Sequence, residues 1–225
     1  IEAAGFQDPP ELPSMFLGAI DMAPLDVAQI YSTLASGGYL TPLLAIREVL
    51  TKEGKPLSRY SFKLKQTLPE SPVFLTTWAM QKVIEQGTAR WANSVLPPGA
   101  HYAGKTGTTE DLRDSWFAGF GADRVAVVWV GRDDNKPVGF DGAGGGLRIW
   151  GRLMRDLRAR GLDVQAPGDV DEVAIDPGTN LRADEGCGGA VMVPYLRGSA
   201  PETFAPCANA AKSETPLDWI KDIFH

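Results

Sequence analysis

Lys105-Thr106-Gly107-Thr108-Thr109 is the stretch of this 225-residue chain with the most chemistry in the fewest residues. A lysine can pair with a carboxylate, and neighbouring threonine hydroxyls can donate to the same oxygens. Gly107 has no side chain, so a ligand can approach the backbone there. On a sheet edge, such a run could receive an extended peptide as one more strand. Alone, Lys-Thr-Gly is a weak signal. Its plainest reading is an edge strand ending in a glycine bulge with an exposed lysine. The residues after it add weight: a short polar loop, then Asp114-Ser115-Trp116-Phe117-Ala118-Gly119, then an apolar strand ending Trp129-Val130-Gly131-Arg132-Asp133.

Other candidates carry less. The glycines of 142–146 invite a dinucleotide reading, but Leu147 stands where G-x-G-x-x-G needs its third glycine, so close helix packing is the better role. Asp133-Asp134 and Glu110-Asp111 are paired carboxylates in turns, where such pairs are usually solvated. His101 and His225 are isolated, and no metal site is expected. Trp78, Trp91, Trp129 and Trp150 read as core or interface residues; Trp116 stands out because it lies beside the edge that carries Lys105. Thr88, in the turn Gly87-Thr88-Ala89, is expected to help shape the cleft.

The elements that must position these residues can be read from periodicity and turn residues. Residues 1–23 are proline-rich and irregular. Pro24 suits the first position of a helix, with Leu25, Ala28, Tyr31 and Ala35 at helical spacing and Gly37-Gly38 as the stop. Residues 43–63 read as a hairpin turning at Glu53-Gly54-Lys55. A second helix opens at Ser71-Pro72, with Val73, Thr77, Met80 and Ile84 on one face and Gly87 at its end. Three strands come next, over 101–109, 114–120 and 125–132. The last carries a continuous apolar run, expected of a strand covered on both faces. The short turn at 121–124 makes the last two antiparallel neighbours. The glycine loop then leads into a helix with Leu147, Trp150, Met154 and Leu157 on one face. Residues 168–210, punctuated by Pro and Gly, contain short apolar stretches at 170–175 and 190–195. The expected class is α+β: an antiparallel sheet flanked by helices over 1–165, a small β-rich C-terminal module over 166–210, and a tail over 211–225 in which Leu217-Asp218-Trp219-Ile220 could form a docking turn.

Composition sets the outer limits. Hydrophobic residues are 44% and charged ones 22% of the chain, enough for a sizeable core. A net charge of −6 without a basic run argues against nucleic acid as a partner. No stretch approaches the ~18 consecutive apolar residues of a membrane span. The chain begins Ile-Glu-Ala-Ala-Gly-Phe, without Met, signal peptide or lipidation motif, and reads as a piece of something longer. Two cysteines, Cys187 and Cys207, lie in the Pro- and Gly-rich stretch. They are either two free thiols or a disulfide closing a short surface loop. With no third cysteine and only two histidines, the disulfide suits them better than zinc. A disulfide implies an oxidising compartment.

The arrangement around Lys105 resembles the transpeptidase domain of class A penicillin-binding proteins, the bifunctional cell-wall polymerases. The resemblance takes in Pro13-Ser14-Met15-Phe16-Leu17-Gly18, Ala23-Pro24-Leu25, Ala35-Ser36-Gly37-Gly38, Gly87-Thr88-Ala89 and Ile175-Asp176-Pro177-Gly178-Thr179, and spans about residues 12–207. K-T-G with S-x-x-K and S-D-N is the signature of penicillin-binding proteins and β-lactamases. The resemblance implies a penicillin-binding protein or serine β-lactamase-like fold and peptidoglycan DD-transpeptidation: a serine attacks a peptide carbonyl and an amine resolves the acyl-enzyme. It implies catalytic roles for Lys105 and for Thr108, whose backbone N–H would be an oxyanion-hole donor. Thr106, Gly107, Thr109 and Trp116 would contact substrate. Peptidoglycan stem peptides and β-lactam antibiotics are the implied ligands, with cell-wall synthesis regulators as further candidate partners and no cofactor. The implied location is the periplasmic side of the bacterial inner membrane, with a membrane anchor and a glycosyltransferase domain preceding this part.

The match breaks in one respect. No serine here is followed three positions later by lysine, and no Ser-x-Asn occurs. In the family both motifs precede K-T-G, so the expectation is that a preceding segment carrying S-x-x-K and S-x-N must join this wall before an acyl-enzyme can form. A serine β-lactamase is the competing enzyme, but the E-x-x-L-N string of its class A members is absent. A non-catalytic β-lactam- or partner-binding module is the competing reading from another class.

Overall fold

The computed structural model describes residues 1–10, 12–61 and 63–210. The chain divides into two compact units, Ile1–Gln165 and Ala166–His225.

In the first unit, single 3-10 turns at Glu2–Ala4 and Pro13–Leu17 precede helix α1, Pro24–Ala35. Pro24 occupies the first helical position, where a missing N–H costs nothing. Asp26 reaches back to accept the Ala23 N–H at 3.1 Å. Buried Thr33 donates to the Ala4 carbonyl at 3.0 Å and so ties the first turn of the chain to the helix. Leu25, expected on the inward face, is 66% exposed. The residues that face the sheet and its cavity are Val27, Ile30, Tyr31 and Leu34, and at ~100° per residue Leu25 falls on the far side of the helix from them.

Two small ladders come next. Strand β1, Tyr39–Leu40, pairs with β4, Lys65–Gln66; between them β2, Glu48–Leu50, pairs with β3, Pro56–Arg59. This hairpin is shorter than expected, with a register break at Val49/Leu50. Every residue of β2 and β3 is exposed, so no buried face holds a longer ladder in register. Helix α2, Glu70–Glu85, begins two residues before Pro72, the first helical position that Ser71-Pro72 suggested, and Pro69 rather than Ser71 stands at its N-cap. Pro72 is tolerated because the first turn has no intrahelical use for its N–H. Val73, Thr77, Met80 and Ile84 form its buried stripe, and Gly87 lies just past its end.

The centre of the unit is an antiparallel sheet in the order β5-β6-β7: Ala103–Thr108, Ser115–Phe120 and Val125–Val130. Its register puts Lys105 opposite Ala118 and Gly107 opposite Trp116, which in turn faces Trp129. Alternation then divides the sheet into two faces. Ala103 and Phe120 pack with Met80 and with Tyr31 and Leu34 of α1. On the opposite face Phe117 packs with Leu147, Trp150 and Met154 of helix α3, Gly146–Asp156, all wholly buried. Trp150 is the hub: its ring lies 4.8 Å from Phe117 and 6.2 Å, edge-on, from Tyr102, and its Nε1–H donates to the Gly119 carbonyl. The Tyr102 hydroxyl donates to the Ala159 carbonyl at 2.6 Å. Two expectations need correction. Leu157 lies beyond the end of α3 and is 48% exposed, and β7 is only half-buried, with Trp129 42% exposed, although α1 and α3 pack on its two faces. It is an edge strand of the three described, and Trp129 near its end borders an open cavity.

In the second unit, β8, Val170–Asp176, lies between β9, Leu181–Arg182, and β10, Val191–Leu196. A short helix, α4, spans Pro206–Ala210. Cys187 and Cys207 are joined in a disulfide beside a small cluster of Ala183, Ala205 and Ala208. The expected docking turn at Leu217 to Ile220 lies outside the described residues. The β8–β9 turn is closed by Asp176, whose Oδ2 accepts the Thr179 hydroxyl at 2.7 Å and the Thr179 N–H at 3.1 Å. The Thr179 hydroxyl bond holds the Asp176 carboxyl below its ordinary 3.8, outweighing the effect of burial. A depressed carboxyl contributes stability that is complete above its unfolded value and lost as pH falls through the lower folded one. Thermal melts should therefore fall more steeply in the wild type than in Thr179→Val below about pH 4; parallel profiles would refute this linkage.

Candidate functional site

Strand β5 presents its chemistry on an edge with no second neighbouring strand among the described residues. Just beyond the strand, the Thr109 N–H bonds the Asp114 carbonyl at 3.2 Å. Hydrogen-bonded and non-bonded pairs alternate in an antiparallel ladder. Lys105 and Gly107 therefore direct their backbone groups toward β6, while Thr106 and Thr108 direct N–H and C=O outward. The Lys105 side chain is exposed, and its Nζ–H donates to the outward Thr106 carbonyl at 3.0 Å and approaches the Thr106 Oγ1 at 3.4 Å.

The two threonines of the strand are held from the other side. Gly142 packs against β5, and its N–H donates to the Thr108 Oγ1 at 2.9 Å. A Cβ on Gly142 would lie 2.7 Å from the Gly107 carbonyl oxygen and 2.9 Å from the Thr106 Cβ, so only glycine can come this close. The glycine loop thus buttresses the Lys-Thr-Gly strand, in addition to the helix packing its sequence suggested. Ser115 anchors the same loop, accepting the Gly146 N–H and donating to the Asp141 carbonyl. Gly107 is tight for a different reason: a Cβ there would meet the Trp116 Cβ at 3.0 Å.

Thr109 differs in kind from its neighbours. Its hydroxyl donates to the Asp114 Oδ2 at 2.9 Å and accepts the Asp114 N–H at 2.8 Å, so it closes the β5–β6 loop. The second oxygen of Asp114 accepts Trp129 Nε1–H at 2.8 Å, and the rings of Trp129 and Trp116 lie 6.1 Å apart. Asp114 is a hub that sequence reading missed. The available signal was one polar residue just ahead of the apolar Ser115–Phe120 strand.

This edge borders a cavity of about 870 Å³ lined by residues of β5, by Trp116, Ala118 and Trp129, by Val27, Ile30 and Tyr31 of α1, and by Met15 to Met22 in part. Burial pushes the Tyr31 phenol up to about 12, so it stays neutral beside the cavity. Behind the cavity, the Thr88 Oγ1 lies 2.9 Å from the Thr106 Oγ1. The expected residues Lys105, Thr106, Gly107, Thr108, Thr109 and Trp116 thus all line this cavity, with Thr88 beside Thr106. What the edge can do is hold an extended chain against two outward backbone positions, with one cation and two hydroxyls for an anionic end.

Residues 2–154 match the family described as "Penicillin binding protein transpeptidase domain". Penicillin-binding protein 1B of Escherichia coli K12 is 34% identical over 205 residues, covering 91% of this chain and 24% of that protein. Penicillin-binding protein 1A of Aquifex aeolicus is 32% identical over 201 residues, covering 88% and 27%. The chain therefore spans about a quarter of the length of these relatives. Among solved structures, penicillin-binding protein 1A from Haemophilus influenzae superposes with a TM-score of 0.81 over 91% of this chain and 36% of that one, at 22% identity. PonA1 from Mycobacterium tuberculosis, in complex with penicillin V, gives 0.59 over 70% and 44%, at 25% identity.

Proposed function

The chain belongs to the transpeptidase family of class A penicillin-binding proteins, and from that premise we propose that it is one wall of a peptidoglycan DD-transpeptidase. The observation that carries the proposal is the outward edge of β5, where Lys105, Thr106 and Thr108 converge beside a cavity. A stem peptide lies along this edge as an added strand. Its terminal carboxylate meets the Lys105 charge and the Thr106 and Thr108 hydroxyls. The outward Thr108 N–H donates to the carbonyl oxygen as it becomes an oxyanion, a contribution whose loss typically costs ~10²–10³ in rate. Gly107 gives the chain its close approach, Trp116 borders it, and Thr109 holds the loop that ends the strand.

The serine nucleophile belongs to an S-x-x-K motif outside these 225 residues, in a preceding segment that also carries S-x-N. Its hydroxyl oxygen bonds to the peptide carbonyl, the terminal residue leaves with the proton on its amine, and an acceptor amine then displaces the serine. β-Lactams act as substrates that stop at the acyl stage. The Cys187–Cys207 disulfide suits the oxidising periplasmic side of a bacterial inner membrane. No helix among the described residues is long and apolar enough to cross a membrane. The anchor, like the glycosyltransferase, is assigned to residues outside this chain.

Intact-mass spectrometry after incubation with benzylpenicillin tests the reading, on this chain alone and together with its preceding segment. The expected result is one added antibiotic mass in the combined sample only, carried by the serine of S-x-x-K. Labelling of neither sample would move the chain to a non-catalytic binding module.

A further inference from the structure

A threonine hydroxyl has one proton, so it can donate to a ligand anion only if nothing in the protein already takes that proton. Thr108 meets the condition, because its Oγ1 accepts the Gly142 N–H and its proton stays available. Thr106 has two hydroxyl-directed neighbours: Lys105 Nζ–H, which can only donate, and the Thr88 hydroxyl at 2.9 Å, which can act in either sense. If Thr106 donates to Thr88, it has nothing left for a ligand. If Thr88 donates to Thr106, the Thr106 proton is free and aimed by two donors behind it.

We propose that Thr88 is a positioning residue for anion recognition at this edge, its hydroxyl donating to Thr106 so that the Thr106 proton is presented to a ligand carboxylate. The inference rests on the transpeptidase reading and adds a residue 18 positions before Thr106. Thr88 makes no other hydrogen bond among the described residues, so turning its proton toward Thr106 sacrifices none. Its position is firm although its side chain is exposed. Ala89 beside it is wholly buried and bonds the Val83 carbonyl, and Gly87 bonds the Lys82 carbonyl at the end of α2. The hydroxyl is thus delivered by a fixed turn.

The test compares benzylpenicillin with its methyl ester, which lacks the anion, as acylating agents of the full-length protein. Thr88→Val keeps the branched shape and removes the hydroxyl; Thr88→Ser keeps the hydroxyl. In Thr88→Val the acylation rate should fall about tenfold with benzylpenicillin and less than about twofold with the ester, the scale of one hydrogen bond to a charged group. Thr88→Ser should restore most of the preference for the acid, and the melting temperature should not move. Equal losses on both probes, or an unchanged preference in Thr88→Val, would overturn the positioning role while leaving the transpeptidase reading in place. A wild-type protein that neither probe acylates would instead overturn that reading.

Discussion

Replacing Lys105 with alanine is expected to lower the acylation rate of the complete transpeptidase by benzylpenicillin about a hundredfold, with the fold untouched. The side chain is exposed, donates to the Thr106 carbonyl and approaches the Thr106 hydroxyl. It forms no ion pair among the described residues. Removing an exposed lysine that packs nothing shifts stability by no more than about 0.5 kcal/mol. Its loss in function is larger, because a carboxylate brought into a partly desolvated cleft then lacks the Lys105 ammonium beside it. A charge-assisted hydrogen bond in such a place contributes about 1.5–3 kcal/mol, which is roughly one to two decades in rate. The threonine hydroxyls remain, so the residual rate should still favour benzylpenicillin over its methyl ester. Arginine at 105 should recover only part of the activity, since a planar fork does not reproduce a compact ammonium on a four-carbon stem. Acylation at a near-normal rate in Lys105→Ala would remove Lys105 from the site.

Reduction of the Cys187–Cys207 disulfide is the second large effect. The bond closes a loop with a sequence separation of 20, for which chain entropy gives about 3 kcal/mol. That is large for a unit whose buried cluster around the disulfide consists otherwise of alanines. Alanines bury little apolar area, and a small module depends on cross-links in proportion. On that scale the melting temperature of residues 166–210 should drop by at least about 10 °C on reduction. Double substitution to serine should do the same. Limited proteolysis with and without reductant would report it directly, with new cleavage sites expected inside 166–210. Unchanged proteolysis would show that the module holds itself together without the bond.

Much of this protein was legible in its order of residues. The buried stripe of α2, Val73, Thr77, Met80 and Ile84, is set by helical period alone, because a helix can turn only one face to a core. The pairing of β6 and β7 is set by strand-length apolar runs joined by a short turn, and the chemical run of β5 by residue types that hold an extended anionic chain. Local rules failed where burial depends on what lies opposite. Leu25 and Leu157 fit the helical pattern yet remain exposed, since the sheet covers neither the far side of α1 nor the end of α3. Trp129 sits in a fully apolar run yet is 42% exposed, because β7 is an edge strand of the three described and Trp129 borders the cavity. The site divides in the same way. Its type was determined by the sequence through Lys105 to Thr109, whose spacing of two places Thr106 and Thr108 on the same edge of any strand they form. The contacts that aim those hydroxyls come from Gly142, 34 positions beyond Thr108, and Thr88, 18 before Thr106. No periodicity links such positions. Only the packing of the glycine loop and of the end of α2 against β5 brings their donors within hydrogen-bond reach, and that packing is a property of the folded core as a whole.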